Sequence, residues 1–124
     1  MPTKPTIQII EPDNYLAGIY GRKFEAEGWK VLIAETFEEA EKQRSKANIS
    51  VIILEPDINP KAAEKVLKSL RTDPKTAAIP LLIFTTIGEK TEIAKMKKAG
   101  ANAYLLKGHF VPSEVVRKVK SMLL

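Results

Sequence analysis

Cysteine is absent from the 124 residues, which excludes disulfide staples and thiolate-ligated metal and fits a reducing compartment. Histidine occurs once, at His109. With no hydroxyl or thiol nucleophile in a recognisable motif beside it, it reads as a loop residue rather than a catalytic base. No apolar run approaches the roughly 20 residues of a membrane helix. The stretch Met1-Pro2-Thr3-Lys4-Pro5 has no apolar h-region, so neither secretion nor membrane insertion is expected. Linkers, repeats and low-complexity tracts are also missing. The formal charge is +5, but no Lys/Arg block or arginine–aromatic interleaving accompanies it. Nucleic-acid binding is therefore not expected, and the excess reads as solvated surface. A hydrophobic fraction of 44% over this length is enough for one core, so a single domain over residues 1–124 is expected.

What the chain does contain is a regular alternation of short β-rich runs and longer helical patterns. Thr6 to Ile10 reads as the first strand. Leu16, Ile19, Tyr20 and Phe24 then recur at helical spacing from Asn14 to Glu27, and Gly28 stops that helix. Val31 to Ala34 gives a second strand, with Trp29 covering the apolar edge that leads into it. A second helix opens near Thr36, with Phe37 and Ala40 inward and Thr36/Glu39 as a capping box. Val51 to Leu54 is apolar on both faces, as a central parallel strand must be when helices cover both of its sides. Val66, Leu67 and Leu70 mark the third helix and Leu81 to Phe84 the fourth strand. The fourth helix carries Ile93 and Met96 and ends at Gly100. Ala103 to Leu106 is the fifth strand. Pro112 opens the last helix, where proline costs little, and Val115, Val116, Val119, Met122 and Leu123 face the core.

Five alternating units imply a parallel sheet with right-handed crossovers. The expected class is α/β, a flavodoxin-like (βα)5 three-layer sandwich with strand order 2-1-3-4-5. Functional residues then gather beyond the carboxyl ends of the strands. Those ends carry Glu11-Pro12-Asp13, Glu55-Pro56-Asp57, Thr85-Thr86 and Lys107-Gly108-His109. Against a flavodoxin-like nucleotide binder, the loop after the first strand has no glycine-rich or hydroxyl-rich phosphate cradle.

This convergence resembles the receiver domain of bacterial two-component response regulators, the CheY-like family, over essentially the whole chain. In that family an acidic pair after the first strand holds magnesium and an aspartate ending the third strand takes a phosphoryl group. A Ser/Thr ends the fourth strand, and the fifth holds an aromatic and ends in a lysine, usually followed by proline. The resemblance implies that Glu11 with Asp13 forms the acidic pocket, Glu55 stands at the phospho-acceptor position, Thr85 and Tyr104 are the switch pair, and Lys107 is the family lysine. Pro12 stands where a second carboxylate belongs; Asp13 could substitute in part, but its position suggests an N-cap for the first helix, and Gly108 replaces the proline.

These departures make a degenerate receiver, a pseudo-receiver, the expectation. Phosphoryl transfer is almost entirely positioning and charge neutralisation. Glutamate pushes its carboxylate out by about 1.5 Å relative to aspartate, one carbon–carbon bond, and a misplacement of that size costs on the order of a hundredfold in rate. Magnesium is expected to bind weakly or not at all at Glu11, Asp13 and Glu55, and no other cofactor and no catalytic residue is expected. Asp57 could replace Glu55 only through a bulge after Pro56. Lys107 is expected to contact the Glu55 or Glu11 carboxylate, with Glu55 either standing in for a phosphorylated acid or simply neutralising the lysine. The functional expectation is a stand-alone cytoplasmic phosphorelay protein that is not an enzyme. It would act on a sensor kinase or a downstream effector, or as a homodimer, through its fourth helix, fifth strand and fifth helix. Lys95, Lys97, Lys98, Arg117, Lys118 and Lys120 flank that face, whereas Lys61, Lys65 and Lys68 read as a solvated side of the third helix. The alternative is a small enzyme or ligand binder using the Glu11/Asp13/Glu55/Lys107 rim.

Overall fold

A computed structural model describes residues 4–123. Residues 1–3 lie outside it, so the N-terminal stretch read for a secretion signal is described only from Lys4. The elements run β1 (Thr6–Ile10), α1 (Asn14–Ala26), β2 (Lys30–Ala34), α2 (Phe37–Lys46), β3 (Val51–Leu54), a short 3-10 turn (Pro56–Ile58), α3 (Pro60–Thr72), β4 (Leu81–Thr85), α4 (Lys90–Ala99), β5 (Ala103–Leu106) and α5 (Pro112–Met122). The five strands form one parallel sheet in the order β2-β1-β3-β4-β5, as the alternation required. No described helix is long and apolar enough to cross a membrane.

The period of two along each strand sorts the core into two layers. Ile7, Ile9, Val51, Ile53, Leu82, Phe84 and Leu105 face α1 and α5, where they meet Phe24, Val115, Val116 and Val119. Ile10, Ile52, Leu54, Leu81 and Ile83 face α2, α3 and α4, against Ala40, Leu67, Leu70 and Met96. Burying each large apolar side chain contributes about 1.5–3 kcal/mol. Trp29 is buried edge-to-face on Phe24, ring centres 5.3 Å apart.

The helix starts follow local chemistry. Asp13 Oδ1 accepts from Leu16 N at 3.1 Å, and Thr36 Oγ1 accepts from Glu39 N at 3.1 Å. The expected Thr36/Glu39 capping box is only half made, because the Glu39 carboxylate accepts from Glu35 N instead. Glu114 Oε1 accepts from Val111 N and closes the start of α5 around Pro112. Leu123, expected in the core, falls just beyond the end of α5 and is 38% exposed.

Two polar features inside this frame have no counterpart in the periodicity. Gln8 points into the α2 layer fully buried. Its amide donates to Ala40 O and Gln43 Oε1, and its Oε1 accepts from Arg44 Nη1, each at 2.9 Å. Arg71, in the last turn of α3, donates to the carbonyls of Gly100 at 2.9 Å, Ala77 at 3.2 Å and Ile79 at 2.7 Å, and to Asn102 Oδ1 at 2.9 Å. One guanidinium therefore ties the α3–β4 loop to the α4–β5 turn.

Gly100 has φ +127°, and a Cβ there would lie 2.5 Å from Arg71 Cγ. Gly100→Ala should thus strain the backbone and displace the guanidinium, with a loss of about 2 kcal/mol or more. Urea unfolding measures this, and a change within about 0.5 kcal/mol, the scale of an ordinary surface substitution, would show that Arg71 is not a clamp.

Candidate functional site

Ile10 of β1 and Leu54 of β3 are paired in register, so the residues that follow, Glu11 and Glu55, emerge side by side. Both stretches read Glu-Pro-Asp, and although the second continues into a 3-10 turn and the first into α1, both make the same carboxylate-to-amide bond. Proline has no N–H to offer, so each carboxylate reaches the next available amide: Glu11 Oε2 accepts from Asp13 N at 3.2 Å and Glu55 Oε2 from Asp57 N at 3.1 Å. The remaining oxygen of each turns to Lys107. Its Nζ donates to Glu11 Oε1 at 2.5 Å and to Glu55 Oε1 at 2.7 Å. All four carboxylate oxygens thus carry a hydrogen bond within the protein.

Lys107 reaches this position from the end of β5, whose neighbour β4 presents the Phe84 ring under the ammonium, 6.0 Å from its centre. The side chains of Glu11, Glu55 and Lys107 are 8%, 6% and 15% exposed, so little water screens the three charges. Burial alone pulls the Lys107 ammonium toward neutrality, yet the hydrogen bonds and charges of Glu11 and Glu55 outweigh it and hold its pKa above the usual lysine range. Beneath the carboxylates lies a cavity about the size of one water, walled by Tyr20, Phe84, Ile9 and Ile53. Tyr20 stands edge-on to Phe84 at 5.0 Å. Its phenol is pushed up by burial, against the charge of Lys107 and with that of Glu11.

Thr85 and Tyr104 meet at one residue. Thr85 is fully buried, and its Oγ1 accepts from Ile87 N at 3.3 Å. The Tyr104 hydroxyl donates to Ile87 O at 2.7 Å. Lys107 N in turn donates to Thr85 O at 2.7 Å, so the ion-pair cluster and the β4–α4 loop share one strand end. The Tyr104 phenol is pushed up by burial and by the charges of Glu92 and Glu55.

Other rim residues lie elsewhere. Asp13, expected in the acidic pocket with Glu11, is exposed, and its carboxylate caps α1. Asp57 is exposed on the 3-10 turn that follows Glu55 directly, with no bulge to bring its side chain inward. The three-carboxylate set Glu11, Asp13 and Glu55 is therefore not assembled, and no group of three or more potential metal-binding side chains gathers among the described residues. His109 is exposed on its loop. The paired turns and the sharing of Lys107 between both glutamates were not foreseen, although the repeated Glu-Pro-Asp was their signal in the sequence.

No protein-family model matches the chain. It is 28% identical over 119 residues to the phosphate regulon transcriptional regulatory protein PhoB of Rhizobium meliloti (strain 1021), covering 96% of this chain and 52% of that protein. The chain thus spans about half the length of that relative. It is 33% identical over 94 residues to the chemotaxis protein CheY1 of Helicobacter pylori (strain 26695), covering 75% of each. Among solved structures, chemotaxis protein CheY4 of Vibrio cholerae superposes with a TM-score of 0.88 at 21% identity over 98% of this chain and 100% of that one. A response regulator from Thermotoga maritima gives 0.87 at 18% identity over 98% of both.

A lysine whose folded pKa is raised contributes stability fully below its unfolded pKa, about 10.4, and loses it as the pH climbs through the folded value. Lys107→Met should cost about 3 kcal/mol at neutral pH, because two neighbouring carboxylates lose their buried counter-charge. The deficit should hold constant up to about pH 10 and narrow above it, as Lys107 of the natural chain deprotonates. Urea unfolding from pH 7 to 11 follows the difference; one that widens with rising pH would refute the ion-pair account.

Proposed function

We propose, for a chain that belongs to the CheY-like receiver family of two-component response regulators, a signalling role exercised by protein–protein contact without phosphorylation of its own rim. The receiver family is a signalling module and not a classical enzyme, and its members act on proteins such as kinases and effectors. The finer reading is that of a pseudo-receiver of the cytoplasm in which Glu55 and Lys107 form a permanent pair.

The observation that carries this reading is the closure of the acceptor position. Glu55 holds Lys107 at 2.7 Å and the Asp57 amide at 3.1 Å, and Glu11 is engaged in the same way. An incoming metal would have to break these bonds and compete with an ammonium whose pKa is raised by them. Magnesium dehydrates reluctantly and requires near-octahedral oxygen geometry, which makes the exchange unfavourable. The one-water cavity under the rim also leaves a substrate little room.

The proposed contact surface is α4, β5 and α5. Lys95 is engaged by Glu64 and Glu92, and Lys120 by Glu27. That leaves Lys97, Lys98, Arg117 and Lys118 exposed and without an ion pair among the described residues. They suit an acidic kinase or effector surface, or a second copy presenting Glu89 and Glu92. With both hydroxyls of the switch pair bonded to Ile87, this surface is offered in one arrangement, and no removable charge selects another.

Two measurements test the reading. Mass spectrometry after incubation with acetyl phosphate and magnesium should show no phosphoryl adduct; an adduct mapped to Glu55 or Asp57 would overturn it. Reversal of two charges, Lys97→Glu with Lys118→Glu, should weaken self-association or partner binding and flatten its salt dependence while leaving the melting temperature nearly unchanged. Undiminished association in that variant would discard the surface.

A further inference from the structure

A second open space lies away from the rim. α2 packs on β1 and β2, whereas α3 packs on α4, and a groove of about 440 Å3 remains between α2 and α3. That volume lies within the range of small-molecule sites, roughly 300–1,000 Å3. Phe37, Ala62 and Val66 line it and stay only half-buried.

The charged groups on its walls are of both signs. Arg44 is half-buried, and burial pulls its guanidinium down from the usual arginine range, with the charge of Glu41 opposing. Its only described hydrogen bond runs from Nη1 to the buried Gln8. It makes no ion pair among the described residues. A guanidinium presents five donors in a planar fork that matches a carboxylate, and most of this fork is unspent. The Gln8 network fixes it in place, so binding would require little further ordering. Around it stand Glu38, Glu41 and Asp73, with Lys75 beside Asp73 at the loop end, likewise without ion pairs among the described residues. A simple anion would meet these three carboxylates and be repelled. A simple cation would meet Arg44 and Lys75.

From an apolar floor between one fixed guanidinium, the flexible Lys75 at the loop end and three carboxylates we infer that the α2–α3 groove is a binding site for a small zwitterion with an apolar body, an apolar α-amino acid or a molecule of that chemistry. Its carboxylate lies on Arg44, its side chain over Phe37, Ala62 and Val66, and its ammonium faces Glu41 or Asp73. The site is independent of the ion-pair rim and of the α4–β5–α5 surface.

Amide NMR of the full chain titrated with L-leucine tests it. Saturable shifts confined to α2, α3 and the start of the α3–β4 loop are expected at millimolar concentration. Leucine amide, which lacks the carboxylate, and N-acetyl-leucine, which lacks the ammonium, should each bind at least about tenfold more weakly, the loss of one polar contact of about 1.4 kcal/mol. Arg44→Gln should weaken leucine to the same degree. Val66→Glu, which narrows the groove and leaves the Gln8 network untouched, should abolish the shifts while the fold persists. The inference is overturned by an absence of saturable shifts in the groove, by N-acetyl-leucine equalling leucine, or by full retention of binding in Val66→Glu.

Discussion

Two carboxylates forced side by side in a place with little water are the constraint around which the rim of this protein is organised. β1 and β3 run parallel and in register, so Glu11 and Glu55 must emerge as neighbours. Two like charges at such spacing repel strongly where the effective dielectric is low, and one cation between them removes the problem. Lys107 supplies it from β5, crossing the end of β4 over Phe84. Its ammonium is an adaptable point charge with three donors, well suited to serving two acceptors at once. The added methylene of glutamate over aspartate lets both arms reach that charge directly. The same methylene takes the acceptor carboxylate away from where the family chemistry needs it, so the ion pair and the proposed loss of phosphorylation have one geometric cause.

Proline sharpens the arrangement. In each Glu-Pro-Asp turn the missing proline N–H leaves the aspartate amide as the nearest donor, and the spare carboxylate oxygen accepts it. A buried ionic cluster is expensive unless its lone pairs are satisfied, and here no buried side-chain nitrogen or oxygen among the described residues lacks a partner. The two other internal polar features obey the same rule. Gln8 spends its amide on α2, and Arg71 spends its guanidinium on the loop and turn at the amino-terminal edge of β4 and β5. Gln8 thereby fixes α2 to β1, and Arg71 fixes α3 to the two segments that lead into β4 and β5.

The Ile87 clasp connects the rim to the outer surface. Thr85 accepts its N–H and Tyr104 donates to its carbonyl, while the backbone of Lys107 is bonded to Thr85. A change in the charge cluster therefore has a short covalent and hydrogen-bonded route to the start of α4. Under the proposed function, in which no phosphoryl group is added, that route carries a signal only when a partner acts on Lys107 or its glutamates.

The strands and helices were legible because burial leaves a local period: continuous apolar runs for strands covered on both faces, helical spacing for α1 and α5, and Asp13, Thr36 and Pro112 at helix starts. Parallel strands followed from alternation and their order from the doubly wound fold that five such units suit, and the placement of Glu11, Glu55, Thr85 and Lys107 at or just beyond strand ends followed from both. Local pattern had no means of showing that Lys107 divides itself between Glu11 and Glu55, contacts that span 96 and 52 residues of chain. Nor could it show that Asp57 turns outward, that Gln8 is buried, or that Arg71 closes on Gly100. Those outcomes depend on which side chains the folded sheet brings within hydrogen-bonding distance. The sequence by itself determined which residues stand at the ends of the strands; only the tertiary structure decided which charge answers which, because that is set by distance in space between segments that no sequence spacing relates.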